Sequence, residues 1–458
     1  MKKRILSVLL VCVMCIMAFA GCGAKTTESD KVVIEVGNWP NDSNPSEQAR
    51  YELAKEKLEA DFPGVEVVKS DWVYDLKAFL PTAASGQLPT IYRTYFTEID
   101  RIGGAGYAAD VTEFAKKHKF TENYNEQINE MLTKDGKQFM IARNAYTMGL
   151  AINKDVFRKA GLVNPDGSLM IPQTYDEVRE FSKIIKEKTG AYGFGMSTKG
   201  NGGGWHCLNL AWSYGTVFEE KVDGKWQAKF GSEEFVSALT YLADMKRDGY
   251  FPANSILSTS DLYNLFITDQ LAMMYYAPST NALVEQYGMD KDKIAYASMP
   301  GGPKGRYTQM GGEVYAISQN ATPEQIEACM NWIVYLGDGP ILTDDSKEMI
   351  DTKYKGLAEK GFIVGVAPFS VWNENSEVEK YTKETIDKYA NVDVSYFADY
   401  MDYSKVTIKP EEPVNCQELY QVIAGCMQEA LSGENVDLLS VVKEAADNFQ
   451  RNSLENVE

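Results

Sequence analysis

The sequence predicts an α/β fold built on a parallel sheet, and three observations carry that expectation. Val32-Val33-Ile34-Glu35-Val36 is a short apolar run ending at Gly37-Asn38-Trp39, the pattern of a buried strand. A helical stretch follows, with Tyr51, Ala54, Leu58 and Phe62 on one face and Pro63-Gly64 to stop it. Val65-Glu66-Val67-Val68 is the next strand, so strand, helix and strand fit in about forty residues. Asn44-Pro45-Ser46-Glu47 has the spacing of a capping box, with proline at the first helical position.

The same grammar recurs downstream. Met148 to Asn153 reads as a strand, and Asp155 to Ala160 as a short helix capped by Gly161. Thr174-Tyr175-Asp176-Glu177 is a second capping box, opening a helix with Val178, Phe181, Ile184 and Ile185 on one face. Ser232 starts a helix through Phe235, Leu239, Leu242 and Met245 to Gly249. Thr322-Pro323-Glu324-Gln325 starts another through Ile326, Met330 and Ile333 to Gly337. The last hundred residues or so read as mostly helical, with Leu419, Val422, Ile423 and Cys426 on one face.

Composition narrows the function. At 458 residues the length fits one large domain or two or three smaller ones, and 44% hydrophobic with 24% charged residues is an ordinary globular balance. The net charge of −19 repels phosphate backbones, which excludes nucleic-acid binding as the main activity. Only 2 histidines are present, too few for a His-rich metal site, and no cofactor motif stands out. His118, in Lys-Lys-His-Lys-Phe, reads as a solvated position, and His206 as a loop residue beside Trp205.

Lys2, Lys3 and Arg4 precede an apolar run from Ile5 to Gly21, which is the pattern of an export signal over residues 1–21. Phe19-Ala20-Gly21-Cys22 resembles a lipobox, in which Cys22 is lipidated and anchors the chain to a membrane. Residues 22–30 are small and polar, as a flexible tether should be. Cys207, Cys329, Cys416 and Cys426 remain; their spacing makes no metal motif, selects no disulfide pairing, and suits small core residues.

Several segments, taken in order, resemble the family 1 extracellular solute-binding proteins, the sugar-binding components of ABC importers. DFPGVEVV, FLPTAASGQLPTIY and GYAADVTEF match early segments of that family, and AINKDVFRKAGL followed by IPQTYDEV is the most specific match. DGKWQAKF, ITDQLAMMYY and MPGGPKG complete the order. The resemblance covers about residues 30–340; Thr90 and Ile152 depart from the usual pattern. It implies a two-lobe periplasmic-binding-protein fold of type II, each lobe a mixed sheet flanked by helices, with the ligand between them. The first lobe would hold 31–148 and 305–338, the second 149–304 and 339–458. Asn153-Lys154-Asp155 is then turn and cap chemistry. The family also implies a lipid-anchored monomer on the outer face of the cytoplasmic membrane, with an ABC permease as partner and no cofactor.

A sugar presents patches of C–H bonds and a rim of hydroxyls, so its site needs aromatic faces and fixed polar partners. Ligands of open α/β sheets sit beyond the C-terminal ends of strands, which favours residues there. Trp39, Asn41 and Asp42 follow the first strand; Tyr92, Arg93 and Tyr95 follow Leu88-Pro89-Thr90-Ile91; Arg143, Asn144 and Tyr146 precede the crossing between lobes. Asn201-Gly202-Gly203-Gly204-Trp205 reads as a flexible loop presenting Trp205, because the lysine and serine of a P-loop do not follow it. Trp212, seven residues on, reads as core. Tyr276, Ser279 and Asn281 follow the run LAMM, while Gly311 and Gly312 before Glu313 would let a ligand approach backbone. Phe369 and Trp372 supply late aromatics. The function expected is capture of a carbohydrate, an oligosaccharide, for import. The alternatives are a secreted carbohydrate-active enzyme, for which no carboxylate pair is singled out, or a glycan-binding adhesin.

Overall fold

The computed structural model describes residues 31–42, 45–278, 281–433, 436–455 and 457. The expected export signal, Cys22, the tether, Asn44 and Ser279 lie outside these residues.

Two sheets organise the chain. In the first, Val32–Val36 lies parallel to Val65–Lys69 and to Ile91–Tyr95. The strand Gly305–Ile317 then runs antiparallel to Ile91–Tyr95 on one side and to Met140–Thr147 on the other. Its first half, Tyr307–Met310, pairs parallel with Thr407–Pro410. The sheet is therefore mixed, with this thirteen-residue strand at its centre. The second sheet has the order Ile294–Ala297, Gly149–Asn153, Leu271–Tyr276, Tyr192–Gly195.

Local chemistry places the helices. Asn153 accepts from the amides of Asp155 and Val156, and Gly161 closes the helix Lys154–Ala160 at φ 79°. Thr174 and Thr322 form complete capping boxes with Glu177 and Gln325. Ser232 accepts from the amide of Phe235. Pro45–Asp61 is helical and ends before Pro63-Gly64.

Each sheet buries its own core. Ile34, Val67, Ile91, Met140, Val314 and Trp332 belong to one; Leu150, Phe194, Met273, Tyr296 and Leu419 belong to the other. The stretch around residue 371 departs from the expected partition, because Val371, Phe369 and Trp372 pack on the first core. Trp372 stacks on Tyr124 at 5.1 Å with rings 2° apart, and Val371 accepts from the amide of Asn125. Tyr354, Val364 and Ile386 form a small third cluster between the helices Asp344–Glu359 and Glu377–Lys388. Cys207, Cys329, Cys416 and Cys426 are free and buried. His118 is not on a solvated face: its ring packs down against Glu327 at 3.1 Å. Among the described residues no helix is long and apolar enough to cross a membrane.

One buried acid gives the fold a pH signature. Glu219, only 7% exposed, is pushed up to about 9 by burial and then by Glu412, while the Val414 amide pulls the other way. A carboxyl raised in the folded state favours folding fully below its unfolded value, and this contribution disappears as pH rises through the folded value. Stability should therefore fall between about pH 4.5 and about pH 9. Glu219→Gln should flatten that fall; parallel denaturation midpoints for both proteins across the range would count against it.

Candidate functional site

The candidate site gathers along the first sheet, at the turn after its first strand and on the strands beside it. Asn38 turns the chain after Val32–Val36 at φ 55°, a conformation asparagine tolerates. Its Oδ1 accepts from the Arg93 amide at 2.8 Å, fastening the turn to the neighbouring strand. Trp39 follows, its ring 5.8 Å from Trp332 in a stack and 5.3 Å edge-on to Tyr51. One face of Trp39 is thus fixed by core aromatics, and the residue lines a cavity of about 380 Å³ with Asn38, Pro40, Asn41, Glu47, Val73, Arg93 and Arg143. That volume lies within the small-molecule range.

Strand register assembles the rest. Glu313 lies opposite Tyr95 on one neighbouring strand and opposite Asn144 on the other, and Gly311 lies opposite Tyr146. Alternation puts Glu313, Asn144, Tyr95 and Tyr146 on one sheet face. A bulge at Glu313/Val314 leaves Arg143 between the register pairs, which re-aims its side chain. Arg143 forms ion pairs with Glu313 and, at 2.5 Å, with Glu47; Asp338 is 4.0 Å away. Arg50 pairs with Glu47 at 2.8 Å and Asp338 at 3.1 Å, and Tyr315 donates to Asp338 at 2.7 Å. Burial would raise Glu47, but Arg50 and Arg143 overcome it and hold the carboxyl down at about 2. Three guanidiniums, including Arg93 3.7 Å from Glu313, thus face three carboxylates. Within this arrangement Trp39 Nε1, Arg93 Nε and Arg143 Nε have no hydrogen-bond partner among the described residues.

The second lobe contributes Trp205, whose ring meets Tyr146 edge-on at 5.9 Å. The glycine-rich segment is not a loop. Gly200–Tyr214 is a helix. A β-carbon on Gly204 would lie 2.2 Å from the Tyr420 carbonyl oxygen, so the glycine lets this helix press against the helix Cys416–Ser432. Close packing outweighs the modest helix cost of glycine. His206 is correspondingly buried, accepts from the Ser197 amide, and is pushed down to about 3 by burial. Trp212 is core, donating to Glu412 at 2.8 Å.

Other candidates fall elsewhere. Tyr92 points to the opposite side of its strand from Arg93 and is buried against Trp72 and Phe79. Tyr276 is buried and stacked on Tyr296. Asn281 exchanges side-chain hydrogen bonds with the backbone of Ile363. Gly312 admits no ligand: its β-carbon position is 2.1 Å from the Asn144 carbonyl oxygen. Phe369 packs edge-on against Tyr403, Trp372 packs on Tyr124, and neither lines the cavity. Asp42 is exposed, one residue beyond the cavity wall. Asn38, Pro40, Glu47 and Val73 also line the cavity, outside the sequence expectation. Strand alternation from Arg93 and the position of Glu47 in a first helical turn are the sequence signals that bear on them.

The profile of the bacterial extracellular solute-binding proteins matches residues 42–334, well over half of the chain. The chain belongs to this family. A binding protein of Brucella abortus (strain 2308) is 26% identical over 293 residues, which is 62% of this solute-binding protein and 66% of the relative, just under two thirds. Among solved structures, the GacH receptor of Streptomyces glaucescens, determined unliganded and with acarbose, superposes with a TM-score of 0.65 at 18% identity, covering 93% of this chain and 99% of that one. UgpB from Mycobacterium tuberculosis, determined with glycerophosphocholine, superposes with a TM-score of 0.66 at 14% identity, covering 92% and 98%. At these identities the structural likeness establishes the two-lobe fold of the solute-binding protein.

Proposed function

We propose that this solute-binding protein captures a neutral carbohydrate in the interlobe cleft and delivers it to an ABC permease, without itself catalysing a reaction. The observation that carries this reading is the polar strip of Glu313, Asn144 and Arg143 beside Trp39, Tyr95 and Tyr146. Hydroxyls need such acceptors and donors, and C–H faces need the rings. Charge compensation among the three arginines and three carboxylates leaves little to attract an anion. The GacH receptor, a relative in fold, was determined with acarbose. Cys22 would carry the lipid that holds the monomer at the outer face of the cytoplasmic membrane; stable anchoring needs two signals or more.

A thermal-shift screen of mono- and oligosaccharides tests the reading, since ligand at 100 times its Kd adds about 2.7 kcal/mol. Affinity should be micromolar, about −8 kcal/mol, with little salt dependence. A steep loss with salt would indicate a charged ligand, and turnover on a glycan array would indicate an enzyme. Binding to immobilised glycans without effect on uptake would favour an adhesin.

Two further results are expected. Trp39→Ala and Trp205→Ala should each weaken carbohydrate binding by about 2–4 kcal/mol, with stacking supplying part of it. Trp39→Ala should also lower stability, because the ring packs on Trp332 and Tyr51. If ligand draws the lobes together, small-angle scattering will show a smaller radius of gyration with sugar than without; unchanged affinity in both variants would remove these residues from the site. Cys22→Ala should release the protein from membranes while leaving sugar affinity intact, and equal membrane fractions would contradict the anchor.

A further inference from the structure

Glu411 follows the strand Thr407–Pro410 and is 8% exposed. Its Oε1 accepts from Gln309 Nε2 at 3.0 Å and from the Tyr420 hydroxyl at 2.5 Å. Its Oε2 leans over Gly311. A β-carbon there would sit 3.2 Å from Glu411 Oε2 and 2.5 Å from Tyr146 Oη. The glycine is thus required because two polar groups from distant parts of the chain occupy its side-chain space. Gly311, Tyr146, Glu313 and Asn144 share one sheet face, and Trp205 closes the group from the second lobe. Glu411 therefore stands at the far end of the same strip as Glu313. Glu313 to Gly311 along the central strand spans about 7 Å, so one ligand can touch both ends.

We propose that Glu411 is a specificity-determining residue of the cleft, its Oε2 accepting a hydrogen bond from a hydroxyl of the bound carbohydrate. The assignment rests on the carbohydrate reading above. Gln309 and Tyr420 both donate to Oε1 and the Trp205 indole also donates to the carboxylate, an arrangement that suits an ionised acceptor, with Oε2 over Gly311 on the strip side. Burial lifts this carboxyl to about 7, against the pull of Tyr420, Gln309 and the Trp205 indole, with Glu98 adding to the rise. The groups facing it are Gln309 on the central strand, Tyr420 and Cys416 on one helix, Trp205 on another, and Tyr95, Tyr146 and Glu98 from the first lobe. The phenols and the thiol are raised by burial and stay neutral, and burial raises Glu98 as well. Affinity for a hydroxyl donor should strengthen as Glu411 ionises, from mildly acidic to mildly alkaline pH.

The experiment takes the tightest binder from a panel of glucose, maltose, maltotriose, cellobiose, xylobiose, sucrose, raffinose and chitobiose. Calorimetry then measures its Kd at about pH 5.5 and about pH 8. Wild type should bind about tenfold more tightly at the higher pH, the size expected for one hydrogen bond to a charged group. Glu411→Gln should bind about tenfold more weakly at the higher pH and lose the pH dependence. Glu411→Asp keeps the ionisable group, should retain the pH dependence, and carries the test if the glutamine variant unfolds. A saccharide that binds wild type with a flat pH profile, or binds Glu411→Gln like wild type, overturns this assignment and leaves the carbohydrate reading standing. If no saccharide in the panel binds wild type, both fall.

Discussion

Arg143→Met is expected to destabilise the protein by about 3 kcal/mol at neutral pH. The guanidinium holds Glu47 and Glu313 and lies 4.0 Å from Asp338, and its side chain keeps only 14% of its surface in water. Removing one partner of a buried ionic network strands the others, which costs about 3–5 kcal/mol. The lower end applies because the Glu313 side chain remains 33% exposed and is partly served by solvent. The penalty should also shrink in acid. Glu47, held at about 2, stabilises the wild type fully above its ordinary value of 4.5 and ceases to do so as pH falls through about 2. In the variant, carboxylates protonate earlier, so the difference narrows below about pH 4. Urea denaturation at several pH values measures this; a constant difference down to strong acid would refute the ionic explanation.

Gly204→Ala should cost about 3 kcal/mol or more, although alanine is otherwise the better helix former. The added carbon would lie 2.2 Å from one backbone atom of Tyr420 and 2.3 Å from another, and backbone cannot rotate away as a side chain can. Overpacking typically costs about 1–3 kcal/mol, and a clash between two helix backbones belongs at the top of that scale. Gly425 provides the matched control. It lies in the opposing helix Cys416–Ser432, and nothing lies within 4 Å of its β-carbon position. Gly425→Ala should therefore stabilise by about 0.4–1 kcal/mol. Similar shifts for the two variants would mean that helix propensity, and not interhelical contact, governs Gly204.

What could be read from sequence was set by how local its cause is. The caps at Thr174, Ser232 and Thr322 were legible because each is satisfied within three residues. Chain direction points to Trp39 and Asn41 after the strand Val32–Val36, and both line the cavity; Arg93 and Arg143 line it from within their strands Ile91–Tyr95 and Met140–Thr147. Tyr92 was misplaced by one residue of alternation, since a strand that follows Pro89-Thr90 gives no hint of which face is inward. The segment around Trp205 misled for a different reason. Its glycines signal freedom locally, whereas their use here is contact with residue 420, more than two hundred positions away. Glu411 was unreadable in the same sense: Gln309, Gly311 and Tyr146 come to it through sheet pairing and not through spacing.

The central position of Gly305–Ile317 also dictates an order of folding along the chain. Among the described residues Met140–Thr147 finds its sheet partner only in that strand, and Ile91–Tyr95 gains its second neighbour there. Residue 317 lies about 170 positions beyond residue 147, and until that stretch is available the N-terminal third cannot complete its own sheet. Fragments that stop short of residue 317 should accordingly leave the first sheet protease-sensitive, and it is sealed only once the later half of the chain has been threaded back into the earlier one.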